Sequence, residues 1–123
     1  MIEGRCLCGV IHFAIDEEQI LLFNRCYCSR CRQQTGTAFT SQLQLPAAAF
    51  RWLAGEDAIQ RYESSPGISR SFCGRCGSRV PITTRSGQLV AVPAGLLDDD
   101  PGINPEISMH TASKAPWLSL IHI

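Results

Sequence analysis

Seven cysteines in three short clusters constrain this 123-residue chain more than any other feature. The clusters hold two, three and two cysteines: Cys6 and Cys8; Cys26, Cys28 and Cys31; Cys73 and Cys76. Four thiolates complete a tetrahedral zinc site, whereas three leave one position open for water or substrate. The cysteines therefore divide naturally into one closed site, which stabilises a fold, and one open site, which supports chemistry.

The number and spacing of the cysteines favour metal binding over disulfides. An odd total leaves one thiol unpaired in any scheme of disulfides alone, and clustered cysteines in a reducing compartment more often bind metal. The N-terminus has no apolar stretch typical of a signal peptide, and no apolar run approaches the ~18–20 residues of a membrane span. We therefore expect a cytoplasmic protein without a membrane partner.

The formal net charge is zero, and seven thiolates with two zinc ions would make the metal-bound protein slightly acidic. A nucleic-acid-binding surface usually needs a basic patch, so the charge weighs against a nucleic-acid partner. Five arginines lie beside or within the cysteine clusters, where they either offset thiolate charge or are ordinary exposed residues. They are Arg5, Arg25, Arg30, Arg32 and Arg75.

The sequence pattern predicts a mainly β chain that forms a single zinc-binding domain over residues 1–123. Strands are expected over residues 10–15, 39–45, 58–64, 69–72 and 106–111, with a hairpin formed by residues 79–85 and 88–92. Helix is expected only as single turns within residues 29–35 and 46–50. Residues 97–105 have the composition of a loop. Trp52 and Trp117 are expected in the core.

The segment Cys73-Gly74-Arg75-Cys76-Gly77 has the spacing of a zinc knuckle, in which a tight turn aims both sulfurs at one ion. A redox dithiol shares this spacing, but it usually begins a helix in a βαβ unit, which the flanking sequence does not suggest. The hook Cys6-Leu7-Cys8-Gly9 would supply the other two ligands. The predicted closed site, formed by Cys6, Cys8, Cys73 and Cys76, would connect the N-terminal strand to the middle of the chain.

Cys26, Cys28 and Cys31 then remain as the predicted open site. One alternative is a histidine fourth ligand, for which the candidates are His12, His110 and His122. Another is a single zinc in the protein, with three spare thiols. An open zinc position readily accepts another thiolate and lowers the pKa of a bound thiol. This favours presenting a small thiol to an electrophile over hydrolysis by zinc-bound hydroxide.

The order Cys-x-Cys-Gly, Cys-x-Cys-x-x-Cys and Phe-Cys-x-x-Cys-Gly-Ser resembles the glutathione-dependent formaldehyde-activating enzyme family, which includes centromere protein V. The resemblance runs from about residue 4 to residue 117 and includes the stretches at residues 31–36, 52–56, 62–67, 70–78 and 110–117. It implies an Mss4-like (β-tent) fold with two zinc ions. One would be structural, on Cys6, Cys8, Cys73 and Cys76; the other would be catalytic, on Cys26, Cys28 and Cys31.

The resemblance also implies a carbon–sulfur lyase that joins glutathione and formaldehyde to give S-(hydroxymethyl)glutathione. In this hypothesis the thiol binds the zinc of Cys26, Cys28 and Cys31 through its sulfur, and Arg30 or Arg32 pairs with its carboxylates. Holding thiol and aldehyde in one pocket would supply proximity. A second hypothesis is a non-catalytic, zinc-binding module of the same fold that binds a protein. A third is a nucleic-acid-binding zinc ribbon, which the charge disfavours.

Overall fold

Residues 1–120 are described by a computed structural model, in which they form ten strands and one α-helix. The strands are β1 (Ile2–Arg5), β2 (His12–Ile15), β3 (Leu22–Cys26), β4 (Thr40–Pro46), β5 (Phe50–Ala54), β6 (Ile59–Ser65), β7 (Ile68–Cys73), β8 (Ile82–Thr83), β9 (Leu89–Pro93) and β10 (Ile107–Met109). The helix, α1, spans Ser29–Thr35, and short 3-10 turns lie at Glu17–Gln19, Ala47–Ala49, Glu56–Ala58, Ala94–Leu96 and Thr111–Ser113. The prediction of a mainly β protein is confirmed.

The strands are arranged in three sheets. β1, β2 and β5 form an antiparallel sheet in the order β1-β2-β5. A five-stranded sheet has the order β10-β3-β4-β9-β8 and is antiparallel except that β10 runs parallel to β3. β6 and β7 form a separate hairpin. Each cysteine cluster begins at or just after a strand end: Cys6 follows β1, Cys26 ends β3 and Cys73 ends β7.

The main core joins the three-stranded sheet to the five-stranded sheet. Alternation along β2 and β4 brings Phe13 and Ile15 into one cluster with Leu43 and Leu45, and all four side chains are fully buried. Burying a side chain of this size contributes roughly 1.5–3 kcal/mol relative to leaving it exposed. A second buried cluster surrounds two of the cysteines and consists of Cys6, Ile11, Ile59, Cys73 and Val80.

The expected elements are largely present, with two differences. The helix over Ser29–Thr35 is longer than the single turn predicted. The first strand of the expected 79–85/88–92 hairpin shortens to β8, because Pro81 has no N–H to continue a ladder. Residues before it pair with β7 instead: Arg79 bridges Phe72, and the Val80 N–H donates to the Ser71 carbonyl at 3.1 Å. This pairing places Arg79 beside β7.

The two tryptophans differ in their environment. Trp52 is half-buried and packs against both hydrophobic clusters, as expected. The expectation for Trp117 is wrong, because its side chain is 73% exposed. The segment after β10 is anchored by the fully buried Ala115, and the chain turns outward at the two residues that follow. Within residues 1–120, no helix has the length and apolar character needed to cross a membrane.

Candidate metal centre and adjoining cavity

The knuckle at residues 73–77 is a tight turn closed by backbone hydrogen bonds. The Gly77 N–H donates to the Cys73 carbonyl at 2.9 Å, and the Cys73 N–H donates to the Ser78 carbonyl at 2.8 Å. Gly77 has a φ of 82°, a left-handed conformation that favours glycine. The Arg75 N–H lies 3.4 Å from Cys73 Sγ and donates to it. A backbone donor of this kind stabilises negative charge on sulfur.

The N-terminal hook repeats this geometry with a shorter spacing. The Gly9 N–H donates to the Cys6 carbonyl at 3.0 Å, and the Ile11 N–H donates to Cys6 Sγ at 3.4 Å. Hook and knuckle are also joined directly, because the Leu7 N–H donates to Ser78 Oγ at 2.9 Å. This hydrogen bond holds the hook against the knuckle.

Hook and knuckle bring the four predicted ligands together. The Sγ atoms of Cys6, Cys8, Cys73 and Cys76 all lie within 4.8 Å of one another. Cys6 Sγ is 3.6 Å from Cys8 Sγ, which is 3.9 Å from Cys73 Sγ. A tetrahedral zinc with Zn–S bonds of about 2.3 Å requires S···S separations of about 3.8 Å. The donor set and its spacing therefore fit a closed zinc site.

The thiols of Cys76 and Cys8 have very different pKa values, because their hydrogen-bond partners and neighbouring sulfurs differ. The hydroxyl and the backbone N–H of Ser78 lower the pKa of Cys76 to about 5, helped by the N–H of Cys8. The Val10 N–H lowers the pKa of Cys8, but partial desolvation and the three neighbouring sulfurs outweigh it and raise the pKa to about 11. Four adjacent thiolates repel one another, and a bound divalent cation removes that repulsion.

The three remaining cysteines lie where β3 leads into α1. Cys26 ends β3, Cys28 is the N-cap residue of α1, and Cys31 lies on the buried side of that helix. Their three sulfurs do not all lie within 4.8 Å of one another. Within residues 1–120, the four-cysteine cluster is the only place where three or more ligand atoms of cysteine, histidine or a carboxylate lie within that distance. A second metal therefore stays a prediction.

No histidine joins either cysteine cluster in the described part of the chain. His12 lies on the outer face of β1 and β2, where its Nε2 pairs with the Glu3 carboxylate and is 3.2 Å from Nη2 of Arg5. His110 is exposed and has a φ of 57°. His122 lies outside the described residues.

Two arginines contact the three-cysteine cluster from other parts of the sequence. Arg70 on β7 donates from Nη1 to Cys31 Sγ at 3.5 Å and to Gln34 Oε1 at 3.3 Å. Burial raises the pKa of the Cys31 thiol, but Arg70, the Cys26 sulfur and the charge of Arg79 together lower it below its ordinary value. Burial also lowers the pKa of Arg79, which keeps its charge because arginine does not deprotonate in proteins.

The predicted substrate-binding arginines lie in different environments. Arg30 is exposed on α1 and lines a cavity beside the helix. Arg32 points away from that cavity: its Nη2 donates to the Ser113 carbonyl at 3.1 Å and its Nε to the Tyr27 carbonyl at 3.4 Å. Arg32 therefore connects α1 to the segment after β10, and the structure gives it a position suited to holding the helix.

The cavity beside α1 has a volume of about 790 Å³ and lies between the helix and the β6–β7 hairpin. Its lining includes Arg30, Gln34, Tyr62, Arg70, Phe72 and Arg79. No aspartate or glutamate of the described residues contributes to it. The three cysteines are not part of the lining, but Arg70 both lines the cavity and contacts Cys31. Three cations without a carboxylate suit an anionic, polar ligand.

Comparison with known proteins gives three findings. Residues 1–113 match the family described as "Glutathione-dependent formaldehyde-activating enzyme". A Halomonas elongata protein named "Putative glutathione-dependent formaldehyde-activating enzyme" is 30% identical over 128 aligned positions, which cover 98% of this chain and 81% of that protein. A crystal structure of a Rhodobacter sphaeroides protein is similar in fold, with a TM-score of 0.67 and 22% identity, over 87% of this chain and 98% of the other.

Proposed function

This chain belongs to the glutathione-dependent formaldehyde-activating enzyme family, and on that premise we propose that it is a carbon–sulfur lyase that joins a small thiol to an aldehyde. The thiol is of the glutathione type, and the aldehyde is formaldehyde or a related small electrophile. The reaction takes place in the 790 Å³ cavity, next to Cys26, Cys28 and Cys31.

The observation that carries this proposal is the contact between Arg70 and Cys31 at the cavity wall. A glutathione-type thiol carries two carboxylates, and a cavity with three arginines and no acidic side chain would bind them through charge-assisted hydrogen bonds. Arg30 is exposed at the cavity rim, whereas Arg70 and Arg79 are more enclosed. We assign carboxylate binding to Arg30 and to either of the enclosed pair, so that the substrate sulfur approaches the three cysteines.

Two zinc ions complete the proposal. Cys6, Cys8, Cys73 and Cys76 would hold the structural ion; Cys26, Cys28 and Cys31 would hold the second, after a movement that gathers their sulfurs. Zinc bound there would favour the thiolate form of a sulfur ligand. The chain itself orients the two reactants and limits water in the cavity. In the overall step the thiol sulfur forms a bond to the aldehyde carbon, the C=O π bond breaks, and the thiol proton ends on the oxygen.

A second candidate is a non-catalytic zinc module that binds a protein. The observation that favours it is that only the four-cysteine site is gathered in the described residues. A module of this kind needs no affinity for small thiols. Thiol binding therefore distinguishes the two candidates.

The test is titration of the zinc-loaded protein with glutathione by calorimetry, followed by exchange NMR of glutathione–formaldehyde adduct formation. Arg70→Gln removes the cation proposed to bind a carboxylate, together with the hydrogen bonds of Arg70 to Ser64, Cys31 and Gln34, so we expect thiol affinity to fall about 10- to 100-fold. Arg30→Gln, on the exposed helix surface, should weaken binding without affecting folding. Arg61→Gln, on the exposed face of β6, is the matched control. Wild-type protein that neither binds glutathione nor accelerates adduct exchange would favour the non-catalytic module.

A further inference from the structure

A second cavity lies across Arg79 from the first. It has a volume of about 330 Å³ and shares Thr35, Ser78 and Arg79 with the larger cavity. Hydroxyl side chains form much of its wall: Thr35, Thr37, Thr40, Ser41 and Ser78. The rest of the wall is apolar or glycine, and no described aspartate or glutamate contributes. Thr35 and Thr37 already donate to the Cys31 and Phe39 carbonyls, which leaves Thr40 and Ser41, with Arg79, as donors for a small molecule that carries oxygen acceptors.

Thr40 is the residue of this wall nearest the three-cysteine cluster along the sheet. It is the direct partner of Cys26 in the β3–β4 register, and both side chains are only 6% exposed. Directly paired residues in an antiparallel sheet have Cβ atoms about 4.5–5.5 Å apart. The larger cavity therefore reaches the cysteines through Arg70 and Cys31, and the smaller one reaches them through Thr40 and Cys26.

The Thr40 hydroxyl is also unpartnered. Its Oγ1 is buried and has no hydrogen-bond partner among the described residues. A buried polar group left in this state costs about 1–3 kcal/mol, and most such groups in proteins are paired. A ligand oxygen at this wall, reached by rotation of the side chain, would remove that cost.

Arg79 provides the charge that the two cavities share. Its side chain is half-buried, and its Nη2 donates to the neutral Gln42 Oε1 at 3.4 Å. No described carboxylate lies within ion-pair distance of it. Among the described residues the negative groups that Arg79 faces are the thiolates of Cys31 and Cys26. Where it lines the two cavities no described carboxylate opposes it, which favours a ligand that brings a negative charge.

The smaller cavity has room for a ligand larger than formaldehyde. A water molecule accounts for about 30 Å³ of liquid, and formaldehyde has only two heavy atoms. A cavity of about 330 Å³ is therefore several times larger than formaldehyde requires. Its volume, and a mainly apolar wall that carries a few hydroxyls and one arginine, fit a larger electrophile with an oxygen-bearing end.

We propose that the smaller cavity is the electrophile site and that it takes an aldehyde carrying a carboxylate, with the carbonyl oxygen accepting from Thr40 and the carboxylate facing Arg79. This inference rests on the proposed function and specifies its second substrate. For the simplest member, glyoxylate, the thiol sulfur bonds to the aldehyde carbon, the C=O π bond breaks and the thiol proton moves to oxygen. The product is a 2-hydroxy-2-thio acid, and no oxidant or reductant is needed.

The test measures binding of glyoxylate and of methylglyoxal, a neutral aldehyde of similar size, to the zinc-loaded protein without thiol. We expect glyoxylate to bind at least tenfold more tightly, because only glyoxylate carries a carboxylate for Arg79. Thr40→Val should weaken both aldehydes about five- to tenfold, the loss of one hydrogen bond. The melting temperature of this variant should be unchanged or higher, because the substitution removes an unpartnered buried hydroxyl. Thr83→Val, on exposed β8 away from both cavities, is the matched control.

Four outcomes would overturn the inference. Equal affinity for the two aldehydes would exclude the charge contribution, and wild-type affinity in Thr40→Val would exclude the hydroxyl. Glutathione binding without glyoxylate binding would refute the electrophile site while leaving the proposed function standing. Failure of both glutathione and glyoxylate to bind would refute both.

Discussion

Cys73→Ser should lower the free energy of unfolding more than a serine substitution of any cysteine in the three-cysteine cluster. A metal at the four-cysteine site would join the hook to the knuckle and close a loop of 65 residues between Cys8 and Cys73. The chain-entropy relation for a cross-link gives about 4 kcal/mol for a loop of that length. Total stabilities of domains are about 5–15 kcal/mol, so this loss would leave a marginal fold.

The control is Cys28→Ser, the same substitution in the other cluster. A metal held by Cys26, Cys28 and Cys31 would close a loop of only about six residues, for which the same relation gives about 2 kcal/mol. Cys28 is also only half-buried and belongs to neither hydrophobic cluster. We therefore expect its substitution to cost at most half as much as that of Cys73.

The assay is urea unfolding followed by tryptophan fluorescence, with zinc content measured on the same samples. At a slope of about 2 kcal/mol/M, a loss of 4 kcal/mol lowers the midpoint by about 2 M. Cys73→Ser should also lose one equivalent of zinc. A wild-type midpoint and zinc content in Cys73→Ser would refute the reasoning, and so would an equal fall in Cys28→Ser.

Two further predictions concern the scaffold around this site. Arg5 donates hydrogen bonds to both carboxylate oxygens of Asp98, and this lowers the pKa of Asp98. The ion pair therefore contributes to stability above the pKa of Asp98 in the unfolded chain, about 3.9, and its contribution is lost as the pH falls through the lower pKa of the folded protein. Asp98→Asn should therefore unfold at a lower temperature than wild type at pH 7, and in pH-dependent melting the difference should vanish once the pH falls below the lowered pKa of Asp98; a difference that grows in acid would contradict this. Gly55→Ala should cost about 2 kcal/mol or more in urea unfolding, because φ is 84° and the new Cβ would lie 2.0 Å from the Val10 carbonyl oxygen. Gly87→Ala, also at positive φ but in open space, is its control, and equal losses in the two variants would show that the close contact has no effect.

The strands that could be predicted from sequence are those with clear alternation. In β2 and β4 the apolar residues of the alternating face, which are Phe13, Ile15, Leu43 and Leu45, are fully buried, so the pattern and the packing agree. β1, β3 and β5 were not predicted, for reasons visible in their residues. β1 contains Gly4, whose missing side chain leaves room for the Phe13 ring. β3 buries the polar Asn24 beside Cys26, which breaks the apolar pattern.

The four-cysteine site could be predicted because its geometry is local. Each pair is shaped by its own turn, with a glycine and a backbone N–H donor to sulfur within a few residues. Counting ligands then joins the two pairs. Arg70 and Arg79 could not be found in this way, since they lie 39 and 48 positions after Cys31. Only the pairing of β7 with the residues before Pro81 brings them to the cavity.

β7 links the metal centre to the proposed substrate cavity. Arg70 lies in the middle of this strand and contacts Cys31, whereas Cys73, three residues later, ends the strand within the four-cysteine cluster. At about 3.3 Å per residue, these two positions are about 10 Å apart along one rigid segment. Apart from its hairpin partner, β7 is held at its tip by the hydrogen bond from Arg85 to the Pro66 carbonyl. A metal bound by the four-cysteine cluster would therefore fix the other end of β7, and with it the position of the guanidinium that faces the proposed substrate.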